Sequence, residues 1–447
     1  MASDNKIILT AALMHGLGME YGAWRVRSGP ASDYVSPRLY AEMAQAAERG
    51  KLHVLFLAEQ MTNRDTGTER PCGSLDTTTV LGFMAAASQR VGLVGTGSTT
   101  YNHPYDLARR FATLDHLAGG RVGWNAVTTA NPATAEMYGT DPHPPAGERY
   151  ARADEFLEVV AALWESWEPD ALVGDKERAI FADPAKVHEI NHDGAHFTVR
   201  GPLPFPRSRQ GRPVIFHAGS SPAGRDQAAR VADVVFTAQH TLAAACEFRA
   251  DIRARAAAYG RDPDQVKVLP GMSVILGATE EEAQAKKAAA HEALTLDQRL
   301  RLMWKRTGVG VDVLRAHLDL PFPVDLLPPD ETFQSGTGWR RSVVDLAVTE
   351  NLTVRELLSR APGPHHHLVG TAATIADAME ERIEAGAADG FTLMVDILPD
   401  GLHDIADLLT PELQRRGLFH DDYEGETLRD SLGIGAAAPI PSALAAV

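Results

Sequence analysis

VGLVGTGST (Val91–Thr99), YDLARRFATLDHL (Tyr105–Leu117) and VGWNAVT (Val122–Thr128) make one unbroken strand–helix–strand pattern. The outer runs are short and bounded by turn residues, and the middle run sets Leu107, Phe111 and Leu114 at helical spacing. Strands alternating with helical patterns of this length predict parallel βα units. The pattern repeats in both directions along the chain. Strands are expected at Lys6–Leu13, His53–Ala58, Val91–Thr99, Val122–Thr128, Pro213–Ala218, Asp233–Thr237, Val266–Leu276 and Phe391–Ile397. Helices are expected at Ser36–Arg49, Thr77–Gln89, Tyr105–Leu117, Ala146–Trp167, Ala223–Ala232, Leu242–Tyr259, Glu280–Ala293 and Thr374–Gly386. An open sheet of that many strands would leave two edges to cover, so the set predicts a closed (β/α)₈ TIM barrel.

A chain of 447 residues has room for two or three average domains, but one barrel with insertions accounts for it as well. The expected division is one barrel over residues 1–434, with insertions near 169–211 and 294–370, and a tail at 435–447 that is flexible or packed on a partner. The second insertion precedes the last strand and is Pro-rich, which makes it the better lid candidate. The formal net charge of −16 argues against nucleic acid and anionic membranes as partners. No apolar stretch approaches the roughly 20 residues of a bilayer span, and Ile7–Leu13 reads as a strand, not a signal peptide. The two cysteines, Cys72 and Cys246, make no disulfide framework, so a cytoplasmic protein is expected.

In a barrel of this kind the working groups gather at the C-terminal ends of the strands. Those ends read Ala58-Glu59-Gln60, Ser98-Thr99-Thr100-Tyr101-Asn102-His103, Trp124-Asn125-Ala126-Val127-Thr128-Thr129 and His217-Ala218-Gly219-Ser220-Ser221. Hydroxyls and amides dominate, suited to hydrogen-bonding a polar ring system. After Phe216, Gly219 permits close backbone approach, and Ser220 and Ser221 stand where a helix begins at Pro222. Such a turn either cups a phosphate on its free N–H groups or is an ordinary serine N-cap; from the segment alone the two readings weigh equally. No dinucleotide fingerprint accompanies it, since Gly95-Thr96-Gly97 lacks a third glycine.

Several runs, in order, resemble the nitrilotriacetate and dibenzothiophene-sulfone monooxygenase branch of the bacterial luciferase-like flavin enzymes. They include Gly22-Ala23-Trp24-Arg25, Ser98 to Tyr105, Ala108 to Leu117, Gly119 to Asn125, Arg149-Tyr150, Ala218 to Arg225, and Pro411 to Phe419. The resemblance spans residues 22 to 434. It implies reduced FMN (FMNH2) from a separate NAD(P)H:flavin reductase, O2 as co-substrate, and insertion of one oxygen atom into a small organic substrate, with C–N or C–S oxidation. It also implies a homodimer. By similarity Asn125, Thr128, Tyr150, Ala218, Gly219, Ser220 and Ser221 hold the phosphate and ribityl chain, while Ala58, Glu59 and Thr99 lie along the isoalloxazine. Three departures point to a different substrate: Glu59 replaces the usual aspartate, His217 the usual glutamine, and Met137-Tyr138-Gly139 the usual Asn-Phe-Gly. An F420-dependent oxidoreductase and a non-catalytic flavin-binding protein remain as alternatives on the same barrel.

His15, Asn102 and His217 are the catalytic candidates. His15 follows the first strand and lines the substrate pocket by analogy, or is a plain loop histidine. Asn102 follows the third strand, and His217 sets a titratable group beside the cup. No metal site is expected. His188-Glu189-Ile190-Asn191-His192 fits a zinc-protease pattern, but Asp193-Gly194 breaks the helix that pattern needs. His365-His366-His367 reads as a polar loop before the last strand, with His367 a substrate-site candidate.

Overall fold

The computed structural model describes residues 6–13, 17–62, 73–140, 142–329, 333 and 337–441. Nine parallel strands make the main sheet: β1 (Ile8–Leu13), β2 (Val54–Leu57), β3 (Gly92–Ser98), β4 (Val122–Val127), β5 (Val214–His217), β6 (Val234–Thr237), β7 (Lys267–Leu276), β8 (His366–Gly370) and β9 (Gly390–Val395). Eight of them close into a ring. β1 through β7 pair in succession, β7 pairs with β9 over Gly271–Val274, and β9 returns to β1 with Ile8 opposite Gly390. These eight are the strands expected from the sequence. The ninth, β8, was read as a polar loop, and that reading is corrected here. β7 runs for ten residues, and its Met272–Leu276 edge opposite β9 takes on His366–Gly370 in parallel register.

The period-2 alternation of each strand sorts side chains between two cores. On β1, Leu9, Ala11 and Leu13 face the surrounding helices, while Ile8 and Ala12 face the barrel interior with Val54, Phe56, Val94, Phe216, Val234, Leu269 and Met394. Trp124 points outward from β4, where its Nε1 donates to Gly97 O at 3.1 Å and its ring meets Phe111, Phe156 and Trp164. Leu428, Leu432 and Ile434 close the interior from the N-terminal side of the strands. Beside them Arg429 Nη2 donates to buried Asp233 at 2.9 Å. Residues 435–441 continue along this side, with Ala438 O and Pro441 O accepting from Arg212 and Arg230.

The first insertion carries two small antiparallel hairpins, Leu172–Asp175 with Ile180–Ala182 and His192–Asp193 with Thr198–Val199. His188 and His192 are not helical, and they bond different carboxylates, Glu168 at 2.8 Å and Glu155 at 3.0 Å. The second insertion, read from its prolines as a long loop, folds mainly into helices at Leu296–Thr307, Val311–Ala316, Thr337–Thr349 and Val354–Arg360. Leu300, Met303, Leu314, Val343, Leu346 and Leu357 give it an apolar core of its own. Among the described residues no helix is long and apolar enough to cross a membrane.

Candidate active site

At the exit of β5 the chain turns sharply into the helix Pro222–Val231. Ser221 caps that helix, its Oγ accepting from Gly224 N at 3.1 Å, and Pro222 fills the first turn where no donor is needed. The turn is tight because it lacks side chains: a Cβ on Gly219 would lie 2.7 Å from Gly224 Cα, and one on Gly224 would lie 2.9 Å from Tyr150 Oη. Tyr150 Oη in turn meets Ser221 Oγ at 3.3 Å. Cap, hydroxyl pair and helix N-terminus thus converge, the arrangement an anion accepts. The helix Thr337–Thr349 of the second insertion begins over this turn; a Cβ on Gly338 would lie 2.6 Å from Ser220 Cβ.

Asn125 stands on the inward face of β4, where Nδ2 donates to Thr96 Oγ1 at 3.0 Å and the buried Oδ1 has no partner. Ala58 leaves β2 beside the interior core, and Glu59 follows it, half-buried. Burial, followed by repulsion from Asp76, pushes the Glu59 carboxyl up to about 7 against the opposing pull of Arg110. Thr99 is a structural tie as well as a mouth residue, because its N and Oγ1 both donate to Val127 O. Thr128 lies beside it and accepts from Thr100 Oγ1 through its carbonyl.

Two catalytic candidates sit differently from their expectation. His217 alternates with inward Phe216 and so faces the helices. Its Nδ1 accepts from Gly219 N at 2.9 Å and its Nε2 donates to Gln227 Oε1 at 3.0 Å. Burial holds its pKa down, so it is a neutral brace beneath the cup, not a titrating group beside a ligand. Asn102 has both ends of its amide engaged: Nδ2 donates to Ser98 O at 2.8 Å and Oδ1 accepts from Arg110 at 2.6 Å. His103 caps the helix Pro104–Leu117. His15 lies outside the described residues.

The sequence reading missed Asp396 and His240 at the mouth and gave no partner for Tyr101. Asp396, directly after β9, is buried, and desolvation, with Glu20 and Asp404 adding repulsion, raises its carboxyl to about 7. His240 follows β6; its N donates to Ser342 Oγ of the second insertion and its Nε2 bonds Gly363 O. Tyr101 stacks on Tyr138 at 4.8 Å and bonds His143 Nδ1 at 2.7 Å. An acidic residue ending a strand was the visible signal for Asp396. Nothing in the sequence singled out His240.

A closed parallel barrel with its polar groups at the strand exits defines an α/β-barrel enzyme that works at that face. Residues 22–389 match the luciferase-like monooxygenase family. The chain is 42% identical over 444 residues to nitrilotriacetate monooxygenase component A of Aminobacter aminovorans, covering 96% of this chain and 97% of that relative. It is 38% identical over 438 residues to the dibenzothiophene-sulfone monooxygenase of Rhodococcus erythropolis, covering 93% of each. Among solved structures, a riboflavin lyase bound to modified FMN and riboflavin superposes with a TM-score of 0.81 at 33% identity, covering 96% of both chains. The chain belongs to the luciferase-like monooxygenase family and is a flavin-dependent monooxygenase.

Proposed function

We propose that this chain is the oxygenase component of a two-component system. Reduced FMN would come from a separate NAD(P)H-dependent flavin reductase, and one atom of O2 would enter a small organic substrate at a C–N or C–S bond. The observation that carries this reading is the cup after β5, where Gly219 and Gly224 approach without side chains and capped Ser221 meets Tyr150. The residues fit a flavin mononucleotide. Ser220, Ser221 and Tyr150 would hold its phosphate, and the unpartnered Asn125 Oδ1 would take a donor from its polar chain. Ala58, Glu59 and Thr99 would border the ring. Reduced flavin supplies the electrons that activate dioxygen. Glu59, raised to about 7, can hold or release a proton beside the ring near neutral pH. The helical insertion, seated over Ser220 and tied to His240, would keep water from the mouth.

The test is an anaerobic titration with reduced FMN and with F420. Oxygen uptake with reductase and NADH then follows, against nitrilotriacetate and dibenzothiophene sulfone. Tight FMN binding and substrate-coupled oxygen uptake are expected. Failure to bind FMN in either redox state, preference for F420, or hydrogen peroxide release without product would refute the reading.

A further inference from the structure

β7 places Leu269 in the barrel interior, so Gly271, two residues on, faces inward as well. The space its side chain would fill is taken by the imidazole of His365: a Cβ on Gly271 would lie 2.2 Å from His365 Nδ1. The ring packs on Phe236 with centroids 5.4 Å apart, and Phe236 lies 6.1 Å from Phe56, so His365 borders the aromatic layer inside the mouth. It is 2% exposed, and its Nδ1 has no hydrogen-bond partner. A buried polar atom left unpaired costs about 1–3 kcal/mol, so native structures keep few of them.

The strand order decides which ligand the ring meets. In a ring of eight, β7 stands across from β3, while the proposed flavin contacts lie on β2, β3, β4 and β5. His365 therefore borders the part of the mouth left for the second reactant, with His240 after β6 as its neighbour. Arg306 of the insertion helix Leu296–Thr307 also acts on it electrostatically.

We propose that His365 is a specificity-determining residue whose imidazole hydrogen-bonds a polar oxygen or nitrogen of the substrate, so that polar compounds are taken in preference to hydrocarbons. The inference rests on the flavin reading above. Its test uses the full chain with reduced FMN, a flavin reductase and NADH, and three probes: nitrilotriacetate, dibenzothiophene sulfone and hexadecane. At least one polar probe should be oxidised, and hexadecane should not. His365→Phe should raise KM for that probe at least tenfold while kcat stays within threefold and the FMN dissociation constant within twofold. Gly271→Ala, which displaces the ring and keeps the histidine, should reproduce the KM defect. His365→Asn should recover part of it, and this variant carries the test if the phenylalanine protein melts early. The proposal is overturned by an unchanged KM in the substituted proteins, by preference for hexadecane, by oxidation of neither polar probe, or by loss of FMN binding in step with KM. Failure of the unsubstituted protein to bind FMN is a separate result, read before any probe is added, and it sinks the flavin reading itself.

Discussion

Asp396 shows burial outweighing its compensating contacts. Desolvation, with repulsion from Glu20 and Asp404, raises its carboxyl from 3.8 to about 7, and the backbone N–H of Ile397, then Lys286, oppose it only in part. The native protein therefore holds a proton that the unfolded chain loses between about pH 4 and pH 7. The associated stability is fully present below about pH 4 and is lost as pH rises through 7. Asp396→Asn removes this dependence. Its urea midpoint should change less than that of the unsubstituted protein between pH 4 and pH 8, and the variant should gain stability at pH 8, with roughly 4 kcal/mol as the ceiling. An equal pH slope in both proteins would show that Asp396 does not carry the proton.

The helix Pro222–Val231 joins local folding to ligand binding, because one hydroxyl serves both. Ser221 Oγ satisfies Gly224 N and meets Tyr150 Oη. Ser221→Ala loses the cap, which costs about 1 kcal/mol. If the cup holds a phosphate, affinity for FMN falls further than that loss explains, by about tenfold or more, since hydrogen bonds to charged groups are worth about 1.5–3 kcal/mol. Urea denaturation and a fluorescence titration separate the two effects. Lowered stability with unchanged FMN affinity would leave Ser221 as an N-cap alone.

Across the whole molecule, the end of the chain returns to seal the barrel it began. Leu428, Leu432 and Ile434 close the interior, and Arg429 reaches Asp233, which also accepts from Ile215 N at 2.9 Å. Burial pushes the Asp233 carboxyl up, but Arg429 and then Arg212 pull harder, so it lies below the usual range. Stability from such a carboxylate is present above about pH 4 and fades as pH falls further. Arg429→Met strips a buried charge of its nearest partner and should cost about 3 kcal/mol at pH 7, and less in acid, where the carboxyl no longer held down by Arg429 takes up a proton. A loss of equal size at neutral and acid pH would mean that the side chain acts by packing alone.

All eight ring strands were legible in the residues, because short apolar runs alternating with amphipathic ones have one compact solution. The tight capped turn after β5 was legible too, since Gly219, Ser221 and Pro222 each answer a local backbone demand. Side-chain partners far along the chain were not. Whether His217 faces ligand or helix depends on the pairing of β5, and His240 finds its partners Ser342 and Gly363 on segments 102 and 123 residues further on. β8 escaped notice because its histidines look polar in isolation; only the long edge of β7 makes them a strand. Periodicity and turn chemistry, which are local, thus dictated the barrel and the serine-capped turn after β5. Which groups were left unpaired inside it, Asn125 Oδ1 and His365 Nδ1 among them, was settled by contacts that form when distant segments meet.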